Sequence, residues 1–345
     1  MSGYSLNGKA VVVTGAVGTV GRAQVDYLLQ QDVKKVVAVD INESEIYMLG
    51  EDYAGEPRLE VALGDVRSPG SIASTFRGAD MVFHGAALKH VKLGEHYPDE
   101  IIATNIAGVQ NVVRAALEHR VERVIFMSSD KAVNPTNVMG TSKLMGERLI
   151  SAANYIDKNR ATIFASSRFG NVLGSRGSML PTFLRQMRAG QAITLTSEEM
   201  SRFVMTKEEA VALVTEAAQM AEGGEVFVTK MPVMRVIDVI AALQRLLAPE
   251  MGCAPEDFKV KVVGKRPGEK VYEELLSDEE CSRSLEVSDF FVIRPAVIPN
   301  GEAGASRHRG EKVTKVYRSD QEAPMSVEQI VAYFKERRLL DAAEV

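Results

Sequence analysis

Six short runs rich in β-branched residues divide the first 170 positions: AVVVTG, KVVAVD, LEVALGD, MVFHGAA, VIFMSS and TIFASSRFG. Between them lie segments with helical apolar periodicity, predicted as helices over 20–31, 71–76, 100–119 and 138–159. The apolar runs lack polar alternation, as strands covered on both faces do. A chain that repeats strand, helix, strand in this way has few folds open to it. The predicted one is an α/β fold built on a doubly wound parallel sheet.

After residue 170 the rhythm loosens. Helices are predicted at 178–189, 207–221 and 235–247, and EVFVTK and KVKVVG read as short strands. These elements are expected to form a smaller α/β lobe assembled over the sheet's carboxyl edge. The expected division is a dinucleotide-binding domain over 1–170, joined by part of 205–235, then a lobe over 171–297 and a final loop and helix over 298–345. The stretch 298–314 is poor in large apolar groups and reads as a mobile loop. SVEQIVAYFKERR places a serine cap before an apolar helical pattern.

At 345 residues the chain can bury a sizeable core. Its 41 basic and 46 acidic residues leave a formal charge of -5 without a long like-charge block, which argues against nucleic acid as a main partner. The apolar stretches are strand-length, so no membrane-spanning segment is expected. The N-terminal MSGYSLNGKA lacks a basic region followed by an apolar run, so no secretory signal is read. Cys253 and Cys281 have neither metal-ligand nor redox spacing. The expectation is a reduced, cytoplasmic protein with no metal.

VVVTGAVGTVGRAQVDYLL places Gly15, Gly18 and Gly21 between a strand and an amphipathic helix. Glycines there permit a tight turn and let the backbone approach a pyrophosphate, which the helix N-terminus stabilises. Asp40 ends the next strand, where a carboxylate can accept hydrogen bonds from an adenosine ribose and repel a 2′-phosphate. This favours NAD over NADP, with Lys34 and Lys35 nearby as the opposing feature. Asp65 and Val66 follow the third strand where adenine contacts are usual; a helix cap is the alternative for Asp65. Ala86, in the small-residue run GAA, gives the cofactor a wall, and Asn105 is expected to bond backbone groups near the fourth and fifth strands.

SSDKAVNPTNVMGTSK puts Asp130 and Lys131 directly after the fifth strand, at the edge where ligands bind in such sheets. A carboxyl and an amine there could protonate a leaving hydroxyl and remove a C–H proton. From this segment alone, a surface salt-bridging pair before a proline turn stands equally open.

This segment occurs in order with GAALKHV, SSRFGNVLGSRGSMLPTF, MSRFVMT, GGEVFVTKMP and VVGKRPGEKVYEELLS. Together they resemble the UDP-N-acetylglucosamine 4,6-dehydratases of the bacterial polysaccharide-biosynthesis group, within the extended short-chain dehydrogenases, from about residue 8 to 290. The resemblance implies a Rossmann-type fold, bound NAD and a UDP-sugar substrate. It implies Asp130 as the acid at the C6 hydroxyl, Lys131 as the base at C5, Lys143 on the nicotinamide ribose and Ser129 near the C4 oxygen. Many relatives carry tyrosine four residues before the lysine; here that place holds Met139, as in one branch of the family. Lys131, Asp130 acting through the substrate, and a water held by Ser129 all stay open as acceptors of the C4 hydroxyl proton.

By the same resemblance Asn171 contacts the diphosphate region, Arg202 and Arg266 pair with phosphate oxygens, Glu269 bonds a uridine ribose hydroxyl, and Lys89 and His90 line the sugar pocket. Arg168, Arg176 and Lys270 are further cations in these motifs, whereas Met200, Phe203 and Met205 read as core. Two other readings are a nucleotide-sugar 4-epimerase and a non-catalytic dinucleotide-binding sensor. Related enzymes pair through helices at positions equivalent to 100–119 and 138–159, so a homo-oligomer is expected.

Overall fold

Runs of Val, Ile and Phe shed water best when both sides of a strand are covered. The buried strands β1 (Ala10–Thr14), β4 (Met81–His84) and β5 (Arg123–Ser129) form the middle of the sheet on this principle. The computed structural model describes residues 4–156, 162–265, 268–296 and 308–341, and strands and helices are numbered along the whole chain. The described chain divides into two compact units.

The first unit comprises Met1–Phe169, Ala210–Lys230 and Ser277–Lys315. Its sheet adds β2 (Lys35–Asp40), β3 (Leu59–Leu63), β6 (Ile163–Phe169), β10 (Val226–Thr229), β14 (Ser284–Val287), β15 (Phe290–Ile293) and β16 (Glu311–Lys312). The strand order is β16-β14-β15-β10-β6-β5-β4-β1-β2-β3, parallel from β10 to β3 and antiparallel beyond. The winding direction reverses between β1 and β4, which opens a crevice at their carboxyl ends. Thr14 stands opposite His84, and His84 opposite Phe126, in one cross-strand row.

The helices of this unit are α1 (Thr19–Leu29), α2 (Glu43–Asp52), α3 (Pro69–Ala73), α4 (Val91–His96), α5 (Pro98–Ile101), α6 (Gly108–Glu118), α7 (Val138–Ala153), most of α9 (Lys207–Met220), and α11 (Asp278–Cys281). A π-helical turn, Ile102–Ala107, joins α5 to α6 where one continuous helix was expected. Helices α6 and α7 bury Val109, Val112, Ala116 and Ile150 against Val124, Phe126 and Phe164. The last residues of the helix expected over 138–159 lie outside the described residues.

The second unit comprises Gly170–Glu209, Met231–Leu276 and Val316–Val345. It contains β7 (Asn171–Val172), β8 (Ile193–Leu195), β9 (Ser201–Met205), β11 (Val233–Arg235), β12 (Val260–Val262), β13 (Glu274–Leu276) and β17 (Tyr317–Arg318), in three small sheets. Helices α8 (Met179–Arg188), α10 (Val236–Met251) and α12 (Val327–Glu336) supply its core, in which Leu180, Leu184, Val239, Leu243, Ile330 and Phe334 pack together. Ser326 caps α12 by accepting a hydrogen bond from Gln329 N.

Two expectations differ from this arrangement. The lobe was drawn to residue 297, but Ser277–Lys315 belongs to the first unit because β15 pairs with β10 and extends its sheet. Residues 298–314 were read as a loop, yet Glu311–Lys312 forms β16 on β14; residues 298–307 lie outside the described residues.

Candidate active site

The turn after β1 requires its glycines. Gly15 has a φ of +72°, and a Cβ there would stand 2.6 Å from Ala86 N. A Cβ on Gly21 would stand 2.0 Å from Gly15 O, so this glycine lets α1 seat against the turn. Beside them a cavity of about 260 Å³ is lined by Gly15, Gly18, Asp40, Asp65, Val66 and Ala86, together with Ile41, Arg67 and Glu100. Small residues, a helix start and a carboxylate at a strand end suit a dinucleotide's adenosine and pyrophosphate.

Asp40 is fixed by two backbone donors, Val17 N at 3.2 Å and Asn42 N at 3.0 Å. Asp65 does not cap a helix. Its carboxylate accepts from Arg67 N and from the Arg67 guanidinium, which also reaches Glu100 at 3.0 Å. That guanidinium holds the Asp65 pKa below its usual range, against the opposing effect of burial. Of the opposing lysines, Lys35 pairs with Glu60 and Lys34 is exposed.

At the end of β5 the chain turns through Asp130–Ala132. Asp130 is 0% exposed, and its Oδ1 accepts from Ser129 Oγ at 2.6 Å and Lys131 Nζ at 2.9 Å. A wholly surface salt bridge is thereby excluded: the carboxyl is buried while the Lys131 side chain is 26% exposed. Ser129 Oγ also accepts from Lys131 N, which closes the turn. Helix α7 lies close because Gly140 has no side chain; a Cβ there would meet Lys131 O at 2.3 Å.

Met139 is buried in the first turn of α7 and packs near Gly94. Lys143, one turn on, is also buried. Its Nζ donates to Met127 O at 2.8 Å and stands 4.8 Å from the Phe126 ring centroid. Burial pulls its pKa down to about 8, with Glu147 acting in the opposite direction. Asn105, on the π-helical turn, bonds Leu88 N, Leu88 O and Ser142 Oγ, and so ties the loop after β4 to α7.

Lys89 and His90 are exposed after β4, with His90 at the start of α4. In the second unit, Asn171 Nδ2 donates to Phe203 O at 3.2 Å. Arg202 donates to Ser201 O, Val271 O and Lys270 O and lies 3.5 Å from Glu273, so its guanidinium is held within its own unit. Glu269 and Lys270 are half-buried, Arg176 is exposed, and Met200, Phe203 and Met205 are core. Arg266 lies outside the described residues.

The sequence motifs group Arg168 with the diphosphate cations, but it is fully buried and bidentate to both Glu147 and Glu280. The polar core of the sheet needed a counter-charge there, and the arginine fork matches two carboxylates. Phe126, Gly140, Gly146 and Glu147, which shape the surroundings of Asp130 and Lys143, were not singled out from sequence. Two glycines inside a helical pattern were the available signal, since such positions have a packing reason.

Among relatives, a protein of Methanocaldococcus jannaschii named as an uncharacterized membrane protein is 45% identical over 287 residues, covering 83% of this chain and 86% of its own. No helix among the described residues here is long and apolar enough to cross a membrane. A Rickettsia bellii protein named UDP-glucose 4-epimerase is 37% identical over 292 residues, covering 83% and 82%. The X-ray structure of Pen from Bacillus thuringiensis superposes with a TM-score of 0.90 at 36% identity, covering 97% of this chain and 99% of that one. A dTDP-glucose 4,6-dehydratase from Streptomyces venezuelae, solved with NAD bound, has a TM-score of 0.67 at 18% identity, covering 95% and 98%, and so shares the fold. The sequence profile of the polysaccharide biosynthesis proteins matches residues 11–295, and the chain belongs to that family.

Proposed function

We propose that this chain is a nucleotide-sugar enzyme, and specifically an NAD-dependent 4,6-dehydratase of a UDP-linked N-acetylhexosamine, with UDP-N-acetylglucosamine the substrate favoured. The observation that carries the reading is the buried Asp130 carboxyl shared between Ser129 and Lys131 at the end of β5. The glycine turn, Asp40 and the small-residue wall fit NAD, a cofactor that the Streptomyces dehydratase binds.

Bound NAD would oxidise C4 of the sugar and later reduce C6, so none is consumed overall. The chain's own residues handle the protons. With a ketone at C4 the C5 proton becomes acidic, and Lys131 takes it. Asp130 gives a proton to the C6 hydroxyl, which leaves as water. The two groups already share a hydrogen bond, so the proton Lys131 takes can replace the one Asp130 gives, and the proton released from the C4 hydroxyl leaves one to return to C5 as C6 is reduced. Lys143 holds the nicotinamide ribose. Lys89 and His90 serve the sugar, and Asn171, Arg202, Arg266 and Glu269 the nucleotide. Met139 cannot take a proton and only packs; Lys131, Asp130 or a water on Ser129 receives the C4 hydroxyl proton.

The name of the Rickettsia relative favours a second reading, a 4-epimerase. Incubation with UDP-N-acetylglucosamine and NAD in heavy water separates the two by NMR. Dehydration gives a new C6 methyl signal and deuterium at C5; inversion at C4 with neither would support the epimerase. No turnover on a panel of nucleotide sugars, with the dinucleotide still bound, would support the sensor. Asp130→Asn combined with Lys131→Ala is expected to slow dehydration about 10²–10⁴-fold, and unchanged turnover would remove both residues from the chemistry.

The same reading includes a homo-oligomer paired through the helices over 100–119 and 138–159, where Ile102 and Met145 are exposed. Light scattering of the full chain should give at least the mass of a dimer, and a monomer at micromolar concentration would refute it.

A further inference from the structure

Helix α7 carries two buried ionisable side chains one turn apart on the same face, Lys143 and Glu147. Glu147 is gripped by Arg168 through two hydrogen bonds of 3.0 and 2.6 Å. Arg168 is in turn gripped by Glu280, from α11, at 3.0 and 2.9 Å. Ser277 N and Oγ bond Glu280 as well, and Arg283 lies 3.8 Å from it. The four groups Lys143, Glu147, Arg168 and Glu280 therefore form a buried array of alternating sign. It is neutral as a set only when Lys143 carries its proton.

Few other charges face Lys143. His84 on β4 presents its ring to the Phe126 ring at 5.7 Å, and burial holds it neutral. Asp130 and Lys131, on the turn after β5, pair with each other. Lys92, Glu95, His96, Asp99, Glu100, Arg114 and Glu118 on α4, α5 and α6 are exposed, and Glu95 bonds Val138 N at the start of α7. Burial acts to strip Lys143 of its proton, and the carboxylate one turn away opposes this. A second carboxylate beyond Arg168 prevents the arginine from cancelling the first.

We infer that Glu147, held by Arg168 and Glu280, is a positioning residue that keeps Lys143 a charged ammonium where the cofactor's nicotinamide ribose is to be held. The inference rests on the cofactor reading above. It adds that the ion triad behind α7 sets the pH range of dinucleotide binding, with Glu280 acting from a segment far along the chain.

The test is NADH binding by the full chain, followed by fluorescence from pH 6 to 9.5. Wild-type affinity should fall on the alkaline side as Lys143 loses its proton. Glu147→Gln should move that midpoint down by about one pH unit, tenfold in proton affinity. Glu280→Gln, which leaves the Glu147–Arg168 pair in place, should move it in the same direction by less and serves if the first variant does not fold. Lys143→Arg keeps a charge at every pH and should abolish the alkaline fall.

A midpoint unchanged in both glutamine variants would overturn the inference, as would a uniform loss of affinity at every pH, which marks a purely structural role. Persistence of the alkaline fall in Lys143→Arg would overturn it too. If wild-type chain binds no NADH at any pH, the cofactor reading falls instead, and the inference with it.

Discussion

At the scale of single residues, the site is governed by how burial sets protonation. His84 illustrates this most plainly. It is fully buried, with Nδ1 2.6 Å from Thr14 Oγ1 and Nε2 without a hydrogen-bond partner among the described residues. Burial first, and then the charge of Lys143, pull its pKa from 6.5 to about 3. The unfolded chain binds a proton there below about pH 6.5, and the folded chain does not until about pH 3. Its contribution to stability is therefore complete above pH 6.5 and is lost progressively as pH falls through that window. Between pH 7 and pH 5 the loss should be about 2 kcal/mol, measurable as a drop in urea unfolding free energy. His84→Asn should be less sensitive to this pH change by a similar amount. Equal sensitivity in the two proteins would remove His84 as the source.

At the scale of elements, legibility followed the length of each apolar run. The strands β1, β2, β4, β5 and β6 are largely buried and legible in the sequence, and the less buried β3 is legible from its Leu and Val residues. Helix α2 was not, because only Ile46 and Leu49 of its residues are buried, too few to set a period. The β14–β15 hairpin is not legible in the sequence, because β14 buries only Ser284 and leaves Leu285, Glu286 and Val287 half covered. The helix over 100–119 was found, but its π-helical turn was not. No sequence pattern marks the wider turn, and its effect here is to place Asn105 between Leu88 and Ser142. In the candidate site, Asp130 and Lys131 were readable because they are adjacent and follow a strand. Glu147 and Glu280 are not, since the packing of α7 brings the first to Arg168 and the stretch that pairs β15 with β10 brings the second. Gly146 shows the same limit: the sequence announces a close approach, and only the fold identifies the Phe126 ring, 2.7 Å from where a Cβ would stand.

At the scale of the whole molecule, the first unit is assembled from three separate stretches of chain, and its buried charge triad draws on the first and the last of them. Arg168 ends the stretch that holds β1 to β6, whereas Glu280 arrives only with Ser277–Lys315. Burial opposes the Arg168 charge, but Glu147 and Glu280 outweigh it and raise its pKa. For Glu280, burial again acts first and is outweighed by Arg168, so its pKa falls to about 2. A triad so matched is costly to break from one side, because the groups left behind keep their desolvation penalty without a partner. Arg168→Met would leave two buried carboxylates facing each other and is expected to cost about 3–5 kcal/mol. Two compact units can unfold in separate steps, so amide exchange in β5 and β6 reports the first unit directly. Exchange there should accelerate by the corresponding factor at pH 7. The gap from wild type should narrow at pH 5, because Glu280 without the arginine takes up a proton more readily. A gap below about 1 kcal/mol at pH 7 would mean that the triad behaves as a solvated surface pair, which its burial contradicts. Parallel loss in Glu280→Gln would then tie the late stretch of the chain to the stability of a sheet whose first six strands precede it.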